Sequence, residues 1–339
     1  MAASRPGAGR PTMADVAAAA GVSTALVSIV FRDVPGASEA TRERVRRAAA
    51  EIGYIPDRHA QKLRQARSGL IGVTFELQQP FHGDLVERLY PAVVAQGWDL
   101  VLSGVAPTRD EQTAVDALVR ERCEAVILLG SRLSTIELDD LARRVPVQVV
   151  ARASGTDAVG SVRMDDAQGI ALAVDHLAGL GHRRIVYIDG AGAPGNADRV
   201  SGFRRRTAEL GLDGRVMVGG ATESDGVAAM TAILDADDAA TAVMAFNDRV
   251  AIGVLDVLVR RGIAVPEDIS VMGYDDSRLS RLAHIGLTTV AQDTDLLAGE
   301  IVAQVVRQLA GGEPAEIVLA PRLVVRRTTG TAPNPNRPM

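Results

Sequence analysis

The side chains with chemistry to offer fall just past short apolar runs. Phe81 and His82 follow "LIGVTF", Arg152 follows "VPVQVVA", Asn247 and Asp248 follow "TAVMAF", and Asp275 follows "ISVMGY". Arg199 starts a helix in "NADRVSGF". A carboxylate and a guanidinium facing one cleft can grip the vicinal hydroxyls or polar edges of a small molecule. Asn247 serves equally well to cap the helix after it, and His82 to cap its own. Aromatic residues make up only 3% of the chain, so Phe81, Phe246 and Tyr274 are the few candidates for stacking a ring. This is binding chemistry. The five histidines show neither Ser-His-Asp nor metal-ligand spacing. The lone Cys123 opens the apolar run "AVILLG" and reads as an inert, buried thiol. No catalytic residue, metal or cofactor is expected.

One pattern points elsewhere. Gly190, Gly192 and Gly195 form a G-x-G-x-x-G between a strand and a helix, the fingerprint of an NAD-dependent enzyme. Pro194 removes an N–H from that loop, and Asp213 precedes its strand where a ribose-binding acid belongs after it. A short glycine loop beside Arg199 explains the stretch equally well.

These residues need a scaffold, and the apolar pattern supplies one. From Ile71 onward, apolar strands alternate with helices, which predicts parallel, doubly wound sheets with buried strands. Two sets of strands, separated near Ser161 to Asp166, predict two similar lobes. The stretch "LTTVAQDTDLLAGEIVAQVVRQLAGG" crosses back, and the final strands at 316–327 complete the first lobe. In such sheets ligands sit beyond the carboxyl ends of the strands.

The N-terminal part is different. Residues 1–67 carry eleven basic groups against six acidic ones, a net of +5, so the remainder carries −10 of the overall −5. A basic head on an acidic body suits a polyanion-binding domain joined to something else. Thr12 and Asp15 form a capping-box pattern that starts a helix through "MADVAAAA", and Gly21 stops it. Ser23 caps a second helix, "TALVSIVF", after a short turn. Val16, Ala17, Ala20, Val22, Val27 and Val30 hold the two together as a helix-turn-helix. A third helix runs from Ser38 to Gly53 and closes the core with Val45, Ala49 and Ile52. Asp57 can cap a short helix, "RHAQKL", that is not stable alone in water.

The opening "TMADVAAAAGVSTALVSIVF" and the following "SEATRERVRRAAAEIGYIPDRHAQKL" resemble the lactose-repressor (LacI/GalR) family of bacterial transcription regulators, and the resemblance continues to residue 329. It implies an all-α helix-turn-helix domain on an α/β core of the periplasmic-binding-protein type I architecture. It implies a homodimer that binds a pseudo-palindromic double-stranded operator and responds to a small-molecule effector, most commonly a sugar. The base-reading positions would be Thr24, Ala25 and Ile29, with Ser28 and Arg32 near the backbone and Thr12 and Ser23 among the DNA-facing residues. Leu26 and Arg32 depart from the family's usual Thr and Asn, and Ile29 from an often basic residue. Ala25 and Ile29 offer only apolar contact, suited to thymine methyls, unless Ile29 is simply core. Paired hinge helices would place Arg58, Ala60 and Leu63 at the minor groove, with Leu63 wedged between base steps or merely packing its own helix. Effector contacts would come from Phe81, His82, Arg152, Arg199, Phe246, Asn247 and Asp275.

The domain plan is then a disordered basic arm (1–11), a helix-turn-helix domain (12–56) and a hinge helix and linker (57–68). An effector and dimerisation domain (69–330) follows, with lobe 1 at about 69–162 and 291–328 and lobe 2 at about 163–290. A disordered tail (331–339) without a heptad repeat ends the chain. No apolar run approaches the ~20 residues that cross a bilayer. A cytoplasmic protein, nucleoid-associated when bound to its operator, is expected. A constitutive architectural DNA binder is the remaining alternative.

Overall fold

The computed structural model describes residues 11–31, 33–54, 67–236 and 240–333. The expectations for the basic arm up to residue 10, for Arg32, for the hinge residues Arg58, Ala60 and Leu63, and for the tail from 334 lie outside the described residues. The chain divides into two compact units, Met1–Ser68 and Gly69–Met339.

In the first unit, α1 (Met13–Ala20) starts at a complete capping box. The Thr12 amide and hydroxyl both donate to Asp15 Oδ2 at 2.7 Å, and the Asp15 amide donates back to Thr12 Oγ1 at 3.3 Å. Gly21 ends the helix at φ +64°, and the Val22 amide reaches the Ala17 carbonyl at 3.0 Å, closing a Schellman-type stop that a Cβ at residue 21 would strain. α2 (Thr24–Phe31) follows with the Leu26 amide donating to Ser23 Oγ at 3.2 Å. The chain bends by 105° between the two helices, within the range of helix-turn-helix pairs. α3 (Glu39–Glu51) closes a core of Val16, Ala17, Ala20, Val27, Val30, Val45, Ala48 and Ala49, with Val22 and Ile52 half-buried at its edge. Phe31 and Tyr54 seal one side with ring centroids 5.5 Å apart. No single helix among the described residues is long and apolar enough to cross a membrane.

The second unit holds two six-stranded sheets. The first has the order β11-β5-β4-β3-β1-β2 and is parallel throughout. Its strands are β1 (Leu70–Glu76), β2 (Asp99–Val105), β3 (Ala125–Leu129), β4 (Val147–Val150), β5 (Gly160–Met164) and β11 (Glu316–Leu319). The second, β12-β10-β9-β8-β6-β7, is parallel except at the β10–β12 edge. It comprises β6 (Arg184–Ile188), β7 (Asp213–Met217), β8 (Ala242–Ala245), β9 (Ser270–Asp275), β10 (Thr288–Ala291) and β12 (Arg322–Val324). In lobe 1, α4 (Pro80–Ala95) and α11 (Thr294–Leu309) cover one face, while α5 (Glu111–Arg120) and α6 (Thr135–Ala142) cover the other. Lobe 2 is covered by α9 (Glu223–Asp235) and α10 (Asp248–Arg261) on one face and by α7 (Asp166–Gly179) and α8 (Asn196–Glu209) on the other. Buried from both sides, the central strands β3 (AVILL) and β8 (AVMA) are apolar end to end.

Three readings of the sequence need correction. Residues 161–166 do not merely separate the lobes, because β5 is a buried inner strand of the first sheet, between β4 and β11. Residues 288–291 form β10 of the second sheet before the chain crosses back at Gln292. The segment 316–327 does not complete the first lobe alone. β11 pairs with β5, then Ala320-Pro321 interrupts the ladder, and β12 pairs antiparallel with β10. Thr328 continues in lobe 2, its hydroxyl donating to the Val271 carbonyl at 2.7 Å. Each correction concerns a strand of three to five residues whose place is set by partners distant in sequence, which local periodicity does not register.

Candidate functional site

On α2 the first turn is open: Ser23, Thr24 and Ala25 are exposed, Leu26, Ser28 and Ile29 are half-buried, and Val27 and Val30 face the core. Ile29 lies outside the core cluster and leans over the following loop, where a Cβ at Gly36 would sit 3.5 Å from its methyl carbons. Thr12 is engaged in its cap with Asp15, which leaves its hydroxyl little to offer. The loop after α2 is fastened by a residue the sequence did not single out. Arg42 donates to Asp33 Oδ1 at 2.8 Å and to the Val34 carbonyl at 2.6 Å.

In the body, the carboxyl ends of both sheets open on one cleft. Its lining includes Phe81 and His82 at the start of α4, Arg199 from α8, Phe246 and Asn247 between β8 and α10, and Asp275 at the end of β9. Arg199 is the most constrained. Its Nε donates to Asp166 Oδ1 at 2.8 Å and its Nη1 to the Phe246 carbonyl at 2.7 Å. The guanidinium lies 3.6 Å from the centre of the Tyr274 ring and 4.7 Å from that of Phe246, a cation held between two π faces. Burial is the largest influence and works against its charge, but Asp166, Tyr274, Asp275 and Tyr187 together outweigh it and leave the guanidinium firmly protonated.

Asp275 accepts from Gln292 Nε2 at 2.7 Å, with φ at +115°, a strained value for a residue with a Cβ. Burial pushes its carboxyl up to about 8, against the pull of Arg199. Beside it, Asp248 is pushed up to about 6 by burial, although Thr289 Oγ1 and the Ser277 amide each donate to it at 2.7 Å. His82 is neutral: burial lowers it to about 4, and the Glu76 amide donates to its Nδ1 at 3.0 Å. Its proton therefore sits on Nε2. Asn247 caps α10, accepting the Val250 amide at 2.9 Å and donating to the Ala221 carbonyl at 3.1 Å. It lines the cleft as well, so its two readings coexist.

Arg152 does not join the cleft lining. It donates to the carbonyls of Ser131 and Leu133 at 2.7 and 2.6 Å, bracing the loop after β3. Tyr274 is buried beneath Arg199 rather than lining the cleft. Glu76, Arg132, Ala221 and Gln292 do line it, and Asp166 anchors it from behind. The doubled acid in "MDDAQG" was the one signal for Asp166; Gln292 had none, being placed by the crossover. The glycine loop finds its reason here. A Cβ at Gly190 would fall 2.7 Å from the Phe246 ring, and one at Gly195 would fall 2.7 Å from Asp166 Oδ2. The Gly190 amide is taken by Asn196 Oδ1 at 2.7 Å. Gly190 and Gly195 serve close packing behind Arg199, while Gly192 has open space around it and supplies a positive φ of +84°.

The arrangement presents a buried cation, a carboxyl group, a neutral imidazole N–H and two amides to one small space, a set that pairs with ligand hydroxyls. Residues 12–57 match the family model described as bacterial regulatory proteins, lacI family, and residues 174–329 match that of a periplasmic binding protein-like domain. The chain is 34% identical over 330 residues to the HTH-type transcriptional regulator GalR of Escherichia coli (strain K12), covering 94% of this chain and 96% of that protein. The crystal structure of a LacI transcriptional regulator from a Rhodococcus species is 55% identical, with a TM-score of 0.77, covering 78% of this chain and all of that one. The lac repressor dimer bound to operator and the anti-inducer ONPF is 29% identical, with a TM-score of 0.82, covering 95% of this chain and all of that one.

Proposed function

The chain belongs to the LacI family of bacterial regulatory proteins, and from that premise we propose how this DNA-binding transcription regulator reads its operator and senses its effector. Two copies bind a pseudo-palindromic operator, each laying α2 against base edges through Thr24 and Ala25 of its open first turn and Ile29 of the next. Ser28 and Arg32 support it at the backbone. Direct readout by hydrogen bonds is sparse, so methyl contacts and the duplex bend imposed through Leu63 of the hinge segment 57–68 carry more of the preference. The effector is a small hydroxylated molecule, sugar-like, held between the lobes by Arg199, Asp275, His82 and Asn247. It shifts operator affinity only by its differential affinity for two arrangements of the body.

The observation that carries the effector reading is Arg199. A guanidinium this deeply buried, paired with Asp166 and clamped between two rings, is an expensive feature to build unless it meets a ligand. Apolar side chains on the outer face of α10, notably Leu255 and the exposed Val259, and Tyr90 and Val94 on α4 supply surfaces for the homodimer. We place the regulator in the cytoplasm, acting by binding rather than by catalysis.

The test is retention of genomic DNA fragments on the purified protein, followed by sequencing, with and without a panel of sugars and sugar acids. A shared inverted repeat whose retention one compound class changes is expected. Fragments without a common motif would overturn the operator reading. A motif that no compound affects, with no compound raising the melting temperature, would leave a constitutive architectural binder.

A further inference from the structure

Two elements that line the cleft also touch each other at its rim. α4 carries Phe81 and His82 into the cleft from lobe 1, and Asp84 lies two residues further along it. β9 ends in lobe 2 at Asp275, and Arg278 lies three residues on in the loop after it. Arg278 Nε donates to Asp84 Oδ1 at 2.6 Å, and the Arg278 amide donates to Asp84 Oδ2 at 3.1 Å. A terminal nitrogen of the same guanidinium sits 2.6 Å from Asp84 and 3.9 Å from Glu87. Both oxygens of one carboxylate are thus committed across the lobes.

The lobe 2 side of this bridge is stiff. Asp276 takes Arg326 at 2.5 Å and Arg281 at 3.2 Å, and Asp248 holds the Ser277 amide. Asp275 and Asp276 both stand at positive φ, +115° and +54°. With its base pinned in this way, the loop does not follow α4 passively if the lobes part, and opening must break the Arg278–Asp84 bridge. Elsewhere the chain joins the lobes at its crossovers near Asp165, Gln292 and Pro321.

We propose that Arg278 and Asp84 form an interlobe latch that sets how far the cleft is closed, and that they are positioning residues for whatever binds there. A ligand that bonds both His82 and Asp275 ties together the same two elements as the latch. Closure and ligand binding therefore reinforce each other, and losing the latch weakens binding by the fraction of closed molecules lost. The latch itself follows from the two-lobed structure; only its consequence for ligand affinity rests on the cleft being the effector site.

The test reads lobe separation without any ligand. Spin labels at Ile136→Cys in lobe 1 and Val218→Cys in lobe 2, both exposed, are placed in a Cys123→Ala background. Labelled chain is diluted into unlabelled chain, and the interlabel distance distribution is measured by pulsed electron resonance. Arg278→Ala should raise the longer-distance, open population by about two- to fivefold, the range for a partly exposed ion pair. Arg278→Lys should fall between wild type and Ala, and the charge swap Asp84→Arg with Arg278→Asp should restore the wild-type distribution. Identical distributions for wild type and Arg278→Ala would overturn the latch. So would an open population that the swap fails to close, since that means the arginine acts by shape rather than by pairing. Neither result would bear on which molecule is the effector.

Discussion

Replacing Arg199 by methionine isolates the largest electrostatic commitment in the cleft. Arg199 and Asp166 are each only 4% exposed, so the substitution leaves a carboxylate buried without its partner and the Phe246 carbonyl without its donor. Removing one member of a buried pair costs about 3–5 kcal/mol, and loss of the contacts to Tyr274 and Phe246 adds about 1 kcal/mol. A loss of roughly 5 kcal/mol in unfolding free energy is expected for Arg199→Met, measured by urea denaturation followed by far-ultraviolet circular dichroism. Replacing the pair together, Arg199→Met with Asp166→Leu, removes the orphaned charge and should recover stability to within about 1 kcal/mol of wild type. Effector response should be absent from both variants, because neither carries the cation. The double variant decides the matter. If it is as unstable as Arg199→Met alone, the stability resides in ring packing around the guanidinium, and the charge argument fails.

Three further outcomes follow from the geometry. Asp275 is raised to about 8 in the folded protein, so the folded state keeps a proton that the unfolded chain has lost. Stability should fall as pH rises toward 8 and flatten in Asp275→Asn. His82, lowered to about 4, acts with the opposite sign but only below about pH 6.5, so melting temperatures between about pH 6.5 and 8 read the aspartate alone. Asn247→Ala should cost about 1 kcal/mol through the lost cap of α10, while Asn247→Ser, whose hydroxyl can still cap, should cost less; an equal loss for Ser and Ala in urea denaturation would refute the capping role. Ile29→Arg should change which operator is selected from a randomised pool. An unchanged selected site would place Ile29 in the scaffold, leaning on the Gly36 loop.

The parts of this molecule that could be read in advance are those governed by neighbours a few residues apart. Thr12 and Asp15, Ser38 and Thr41, and Asn247 and Val250 each close a cap within three residues, and a cap needs only local geometry. The crossed pair of short helices follows from the same local rules, with Gly21 at the turn. The alternation of apolar strands and helices likewise announced two wound sheets. The short strands β5 and β10 escaped notice, and β12 was expected but assigned to the wrong lobe, because their apolar length is small and their partners lie far away in the chain.

The cleft divides along the same line. Position past a strand's carboxyl end is a local property, and Phe81, His82, Phe246, Asn247 and Asp275 share one cleft for that reason. The same rule misled for Arg152, whose long side chain turns back to carbonyls of the adjacent loop. What Arg199 is clamped by, why Gly190 and Gly195 must be glycine, and that Arg278 meets Asp84 are facts about groups brought together from separate elements. The amino-acid sequence by itself determined the helices, the caps, the turn and the class of fold, since each arises from contacts within one turn or one strand. Only the tertiary structure decided which side chains share the cleft, how burial moves the acidity of Asp275 and His82, and where the two lobes grip each other. Burial and charge pairing are sums over neighbours that the chain supplies from many positions at once.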